Sequence, residues 1–236
     1  AEEDDEDRNI ILENLKGEII FNNVSFAYEE GKDVLNNINF KVPSGSVTAL
    51  VGSSGSGKST IAGLSATFLN PKSGRITIDN QDMSKVKLSS YRKHLGVVLQ
   101  DEFLFEGSIR ENILFPRPNA TESELQSAVN AAYVNEFTDR FENGLDTLIG
   151  ERGVKLSGGQ RRRLDVALGI IGSPQLLFLD EPTTGFDPEA RRSFWELIRT
   201  LQSEGTTILL TTHYLDEAQA LADRVAVIND GKIIEI

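Results

Sequence analysis

A short apolar run followed at once by a glycine- and serine-rich loop is the feature of this sequence that most restricts its fold. Residues 47–51, VTALV, predict a buried strand because aliphatic and β-branched residues follow one another without polar alternation. Residues 52–60, GSSGSGKST, come next, and the apolar residues Ile61 and Leu64 follow them. A flexible glycine-serine linker has no reason to lie between a strand and an apolar helix. The stretch therefore favours a strand, a tight loop and a helix in immediate succession.

The loop fits the pattern of a phosphate-binding loop, with a lysine and a serine after the last glycine. Glycines allow the backbone to turn tightly and to approach phosphate oxygens, and N–H groups at the start of a helix bind anions. Lys58 would reach the β- and γ-phosphates, and the Ser59 hydroxyl would complete a Mg²⁺ shell. The loop thus predicts a nucleotide site made by Gly52, Ser53, Ser54, Gly55, Ser56, Gly57, Lys58, Ser59 and Thr60.

Composition excludes several other classes of protein. Apolar residues make up 39 % and charged residues 25 % of 236, as in ordinary globular domains. The net charge of −12 argues against a nucleic-acid partner, which would need clustered lysine and arginine. Cysteine is absent, which excludes disulfides and thiolate metal sites and fits a reducing compartment.

The first residues predict neither a leader nor a membrane span. No apolar run reaches about 18 residues, and the start of the sequence is acidic rather than basic and apolar, so we expect no secretory signal. Residues 2–7 are all acidic, and such a run is typical of a solvated, disordered segment. We therefore assign residues 1–16 to an acidic linker or disordered tail, and residues 17–236 to one domain.

Hydrophobic periodicity along the chain predicts an α/β fold. Residues 18–42 alternate as two strands of an antiparallel layer, and residues 108–171 carry helical spacing. From residue 176 onward, apolar strands alternate with helices, as in a parallel sheet with crossover helices. We expect a mixed or parallel core sheet, an antiparallel β-subdomain, and a helical subdomain inserted at about residues 101–172.

Two adjacent carboxylates, Asp180 and Glu181, follow the apolar residues 176–179. Ligands of parallel sheets bind at the carboxyl ends of strands, so both acids would lie beside the phosphate loop. Asp180 suits a Mg²⁺ shell, through water, and Glu181 suits deprotonation of an attacking water, worth about 10²–10⁴-fold in rate. The alternative is a helix N-cap, but Pro182 and a separate cap at Asp187 count against it.

Residues 156–160, LSGGQ, place a second anion-binding helix start, without a lysine, in the chain. With the phosphate loop, the acid pair, Gln100, Asp187 and His213, this motif resembles the nucleotide-binding domain of ATP-binding cassette (ABC) transporters. The motifs stand in that family's order over about residues 17–236. The resemblance implies a P-loop NTPase fold and Mg²⁺-dependent ATP hydrolysis.

The resemblance also implies roles for residues that local patterns leave open. Tyr28 would stack on adenine, Gln100 would touch Mg²⁺ and His213 would contact the γ-phosphate. Asp187 would cross a dimer interface. The residues Ser157, Gly158, Gly159 and Gln160 form the family's signature, and the first three would close over the ATP held by Lys58 of a second copy. Structural alternatives remain: a core or edge-strand tyrosine, a structural histidine, and a capping role alone for Asp187.

The implied partners are a second copy, joined in an ATP-dependent homodimer, and the transmembrane domains of an exporter, which this chain lacks. The domain would then lie on the cytoplasmic side of a membrane and be soluble when isolated. Two alternatives are an ABC ATPase outside transport, and a module that binds ATP with little turnover. The sequence does not name a transported substrate.

The two halves resemble different branches of the family. Residues up to about 155 resemble exporters whose membrane and ATPase domains share one chain, through motifs such as residues 108–113, SIRENI. Residues 156–236 resemble the separate ATPase subunits of drug-resistance exporters of the ABC-2 type, through residues 183–188, TTGFDP. Our hypothesis is an engineered chimera fused near residues 156–163. A natural, divergent member of the family is the alternative.

Overall fold

An antiparallel layer opens the domain in the computed structural model, which describes residues 7–100 and 104–235. Its strands are β1 (Ile19–Glu29), β2 (Lys32–Val42), β4 (Ser73–Ile78) and β5 (Gln81–Asp82). They lie in the order β2-β1-β4-β5, and each pairs with its neighbour in antiparallel register. This is the β-layer that the alternating pattern of residues 18–42 predicts, with β4 and β5 added from later in the chain.

The core sheet contains, in the described part of the chain, β3 (Val47–Val51), β6 (Leu95–Val98), β7 (Leu176–Asp180), β8 (Thr207–Thr212), β9 (Arg224–Asn229) and β10 (Lys232–Glu235). The order is β10-β9-β3-β8-β7-β6, and every pairing is parallel except that of β9 with β10. The carboxyl ends of β3, β6, β7 and β8 therefore share one edge. The prediction of a mixed core sheet is confirmed.

Helices cover the core sheet and fill the region between β6 and β7. They are α1 (Lys58–Ser65), α2 (Leu88–Arg92), α3 (Ile109–Leu114), α4 (Glu122–Ala131), α5 (Asn135–Thr138), α6 (Gly158–Ile170), α7 (Pro188–Ser203) and α8 (Leu215–Leu221). Within residues 7–100 and 104–235, none of the helices has the length and apolar character needed to cross a membrane. Helices α3 to α6 lie within residues 101–172, which the sequence assigns to an inserted helical subdomain; the bounds of that subdomain stay a prediction, and residues 101–103 are outside the described residues.

Strand β7 explains why the core strands are apolar on both faces. Leu177 and Leu179 belong to a cluster that includes the buried side chains of α3, α4 and α6. Leu176 and Phe178 belong to a second cluster, with α1 and the antiparallel layer. Because successive side chains of a strand point to opposite faces, this alternation buries the whole strand.

The segment before β1 packs against the domain from residue 8 onward. Arg8 Nη1 donates to the Met83 carbonyl at 2.7 Å, the Ile10 amide donates to the Lys85 carbonyl at 2.9 Å, and Leu12 is buried. The linker or tail assigned to residues 1–16 is corrected for this part, because the domain binds Arg8 and Ile10 and buries Leu12. The acidic residues 1–6 lie outside the described residues.

Strand β6 and helix α6 approach so closely that we expect Gly96→Ala to destabilise the domain. A Cβ at Gly96 would lie 2.1 Å from the Gly169 carbonyl oxygen. Overpacking of this kind costs about 1–3 kcal/mol of the free energy of unfolding, which urea unfolding would measure. Gly172→Ala is the control, because a Cβ there meets no atom within 4 Å. Equal stability of the two variants would contradict the expectation.

Candidate functional site

The phosphate loop joins β3 to α1 through Gly57, whose φ of 107° lies in the left-handed region. A side chain there would be strained, and its Cβ would lie 2.5 Å from Leu35 Cδ2. Lys58, the first residue of α1, is buried and donates from Nζ to the carbonyls of Gly52 at 2.8 Å and Ser53 at 2.9 Å. The ammonium group therefore lies over the loop that the sequence assigns to phosphate.

Asp180, at the end of β7, meets residues from two other elements. Ser59 Oγ, on α1, donates to Asp180 Oδ1 at 3.1 Å, and Thr211 Oγ1, on β8, donates to the same oxygen. Hydroxyl and carboxylate oxygens are ligands that Mg²⁺ prefers, so the donor set fits the predicted metal. No group of three or more His, Cys, Asp or Glu that could hold a metal occurs in the described ranges.

Glu181 is held by its backbone beside the end of β8. Its amide donates to the Thr211 carbonyl at 3.1 Å and to Thr211 Oγ1 at 3.0 Å. Its φ is 47°, an uncommon conformation for a residue with a Cβ. His213 Nδ1 lies 3.4 Å from Glu181 Oε2. The structure therefore brings Glu181, the predicted base, into contact with His213, the residue predicted to contact the γ-phosphate.

Lys58, Ser59, Glu181 and His213 line one cavity of about 570 Å³. Tyr28 stands at its edge, with its side chain 64 % exposed and its hydroxyl 3.2 Å from Thr60 Oγ1. An exposure this high places the Tyr28 ring outside the core. The cavity is lined by Tyr28, Val34, Ser54, Gly55, Gly57, Lys58, Ser59, Thr60, Gln100, Glu181 and His213.

The signature residues and Asp187 do not line this cavity. Ser157 and Gln160 form a capping box at the start of α6, in which the Ser157 amide donates to Gln160 Oε1 at 2.9 Å. A Cβ added at Gly159 would meet no atom within 4 Å. Asp187 caps α7 by accepting from the Glu189 and Ala190 amides at 3.0 and 2.8 Å. The predicted cap is confirmed, and its role at a dimer interface stays a prediction.

The sequence did not single out two residues that organise the site. Thr211 joins Asp180 to the backbone of Glu181, and Arg162, buried on α6, donates to carbonyls at the ends of β6 and β7. Neither residue carries a local signal, because a strand threonine and one arginine among three in a row are unremarkable. Only the pairing of β7 with β8 and the docking of α6 bring them to the site.

Comparison with known proteins finds relatives that are all ABC transporter proteins. The chain is 43 % identical over 221 residues to the uncharacterized ABC transporter ATP-binding protein YwjA of Bacillus subtilis, covering 94 % of this chain and 38 % of that protein. It is 41 % identical over 226 residues to the ATP-dependent lipid A-core flippase of Pectobacterium atrosepticum, covering 95 % and 38 %. The solved structure of a bacterial Atm1-family ABC exporter with ATP bound matches with a TM-score of 0.89 and 35 % identity, over 97 % of this chain and 41 % of that one.

The coverage of these matches bears on whether the two halves of the sequence come from different parents. Each curated relative covers at least 94 % of the chain, so residues on both sides of 156–163 lie within a single match. The chimera therefore stays a hypothesis. The chain spans less than two fifths of the length of these relatives.

Family membership follows from the site together with these matches. The sequence profile of the ABC transporter family matches residues 35–184, from within β2 through the phosphate loop and signature to the acid pair. The fold, the order of the motifs and the geometry around Lys58 agree with that match. The chain belongs to the ABC transporter family and is the ATP-binding domain of such a protein.

Proposed function

We propose that this domain binds ATP with Mg²⁺, pairs head to tail with a second copy, and hydrolyses ATP to power export through transmembrane domains. The observation that carries the proposal is the arrangement of Lys58, Ser59, Glu181 and His213 around one cavity, with Asp180 hydrogen-bonded to Ser59. The groups come from three different elements, so the arrangement is made by the fold and not by a local motif alone.

Binding of ATP requires Lys58 to exchange its hydrogen bonds to loop carbonyls for hydrogen bonds to phosphate. Its Nζ now donates to two loop carbonyls, and a triphosphate in the cavity offers stronger, charge-assisted acceptors. Ser59 and Asp180 would hold Mg²⁺, with Gln100 at the same cavity, and the ion would neutralise charge on the phosphate oxygens. Tyr28, exposed at the edge, would cover the adenine ring.

Hydrolysis would use Glu181 to take a proton from the attacking water. The backbone of Glu181 is anchored by Thr211, and the Glu181 carboxylate lies 3.4 Å from His213 Nδ1. His213 would hold the carboxylate in place and donate toward the γ-phosphate. These contacts support Glu181 as the base, because they anchor its backbone and bring its carboxylate beside His213.

Pairing of two copies is supported by the exposure of the signature. Ser157 and Gly158 are exposed, and the space beside Gly159 is open. The N-terminus of α6 offers N–H groups for an anion, yet it does not line the cavity of its own chain. A second copy, placed head to tail, would bring this helix start to the nucleotide.

Attachment to transmembrane domains is supported by a second cavity, of about 780 Å³, between β6 and the helical region. Phe68 and Phe115 line it and are 52 % and 60 % exposed, and the Phe105 ring lies 4.2 Å from that of Phe115. Exposed aromatic rings beside a cavity are typical of a surface that binds a partner. The domain would then act at the cytoplasmic face of the membrane.

The test is the solution mass of Glu181→Gln, measured by light scattering with and without ATP and Mg²⁺. Removing the base while keeping the binding residues should trap the closed pair, so we expect the mass to double only when both ligands are present. A mass that stays that of the monomer, with ATP bound, would contradict pairing of the isolated domain.

Gly159→Glu, added to Glu181→Gln, is the matched control for this experiment. The open space at Gly159 should accept the new side chain without disturbing the fold, while its carboxylate would repel the facing triphosphate. We expect ATP binding to persist and the doubling of mass to disappear. A dimer that forms equally well would show that pairing does not use the signature.

Removing the ring of Tyr28 should weaken nucleotide binding without unfolding the domain. Stacking of an aromatic side chain on a base is worth about 1–3 kcal/mol, so we expect Tyr28→Ala to raise the Kd for ATP by about 5- to 150-fold. Tyr28→Phe keeps the ring and should change the Kd little. Calorimetric titration measures both variants, and an unchanged Kd for Tyr28→Ala would exclude stacking.

A further inference from the structure

Arg162, in the second turn of α6, is buried against the site, with 4 % of its surface exposed. Its guanidinium donates to the backbone carbonyls of Asp180 at 2.7 Å, Pro182 at 3.0 Å and Glu181 at 3.2 Å, and also to that of Leu99. One side chain thus binds four main-chain oxygens. These oxygens stand at the ends of β6 and β7.

Burial of the Arg162 charge restricts the positions of the carbonyl groups that it binds. A buried charge is costly unless its hydrogen bonds are made, and Arg162 makes them to carbonyls, with Asp165 Oδ2 3.5 Å away as a counter-charge. The guanidinium is planar and presents its donors in a rigid fork. The four carbonyls are therefore held in fixed positions relative to one another and to α6.

The residues so held are those that carry the proposed chemistry. Leu99 directly precedes Gln100, and Glu181 supplies both a carbonyl to Arg162 and the carboxylate beside His213. The backbone of Glu181 has a φ of 47°, a conformation that persists only where the surroundings enforce it. Arg162 supplies part of that enforcement by binding the Glu181 carbonyl, and Thr211 on β8 supplies another part by accepting from the Glu181 amide.

We propose that Arg162 is a positioning residue that sets the backbone of Glu181 and Gln100 and ties both to the signature helix of the same chain. The expected effect of Arg162 on the rate of ATP hydrolysis rests on the proposed function. Helix α6 begins at the signature. A shift of this helix on pairing would therefore be transmitted through Arg162 to Glu181, the proposed general base, in the same chain.

The test compares Arg162→Gln with Arg162→Lys, and with Arg163→Gln as the matched control. Arg163 is the next residue on the helix, but it binds the Tyr133 carbonyl and Glu136, away from the cavity. A displacement of about 1 Å in a reacting group costs about 10²-fold in rate. We expect Arg162→Gln to lower kcat by about that factor with the KM for ATP nearly unchanged, Arg162→Lys to recover part of kcat, and Arg163→Gln to keep it.

Hydrogen exchange of the amides provides a readout that does not depend on turnover. In Arg162→Gln, we expect faster exchange in residues 99–100 and 180–184, while β1 and α4 exchange as in the unchanged protein. If Arg162→Gln does not fold, Arg162→Lys carries the same comparison. Unchanged exchange in both segments, or a kcat equal to that of Arg163→Gln, would overturn the proposal. Absence of turnover in the unchanged domain would instead contradict the proposed function, and exchange would still decide the role of Arg162.

Discussion

Glu181→Gln is expected to lower kcat for ATP by about 10²–10⁴-fold, the usual contribution of a general base, while the Kd for ATP stays close to that of the unchanged domain. The amide is the same size as the carboxylate and can still contact His213, but it cannot accept a proton from water at neutral pH. Release of inorganic phosphate under saturating ATP measures kcat, and calorimetric titration measures the Kd.

Glu189→Gln is the control for the loss of an acidic side chain near the site. Glu189 is exposed in the first turn of α7 and does not line the cavity, so its turnover should match that of the unchanged domain. A Glu181→Gln variant that retained more than about a tenth of kcat would assign the base to another group, because a general base contributes about 10²-fold or more.

Lys58→Ala is expected to raise the Kd for ATP by about 10²–10⁴-fold, since Nζ would lose two charge-assisted contacts to phosphate worth about 1.5–3 kcal/mol each. Turnover at low ATP should fall at least as far. The side chain is buried and bonded to the Gly52 and Ser53 carbonyls, so its removal also frees the loop. Titration with ATP, and urea unfolding without nucleotide, separate these two effects.

Lys72→Ala serves as the control for removal of a lysine. Lys72 pairs with Asp33 at 2.7 Å on the exposed surface of the antiparallel layer, and such pairs contribute little to stability. Its Kd for ATP should be unchanged. If Lys58→Ala bound ATP as tightly as Lys72→Ala, the phosphate loop would not be the nucleotide site.

Local patterns in the sequence predicted those elements whose signals lie within one stretch. The buried strand predicted at residues 47–51 matches β3 at both ends. Helix α7 begins at Pro188 because Asp187 caps it, and an N-cap followed by proline is readable from three residues. Such signals depend on backbone and capping chemistry that neighbours in the chain provide.

The segment from residue 8 to residue 12 shows where local reading failed. Its acidic surroundings indicated a linker or tail, yet Leu12 is buried and Ile10 pairs with Val86. The partners of this segment are more than seventy residues away in sequence, so composition alone could not reveal them.

The sequence by itself predicted the chemistry of the site: the phosphate loop and the acid pair are recognisable from their own residues, and the signature and His213 from their resemblance to the family. The tertiary structure alone decided how they are held. Thr211 reaches Asp180 because β8 pairs with β7 in parallel register, and Arg162 reaches the end of β7 because α6 packs against the core sheet. These contacts join residues 18 to 31 positions apart, and no local pattern carries them, since burial and strand pairing are properties of the folded chain.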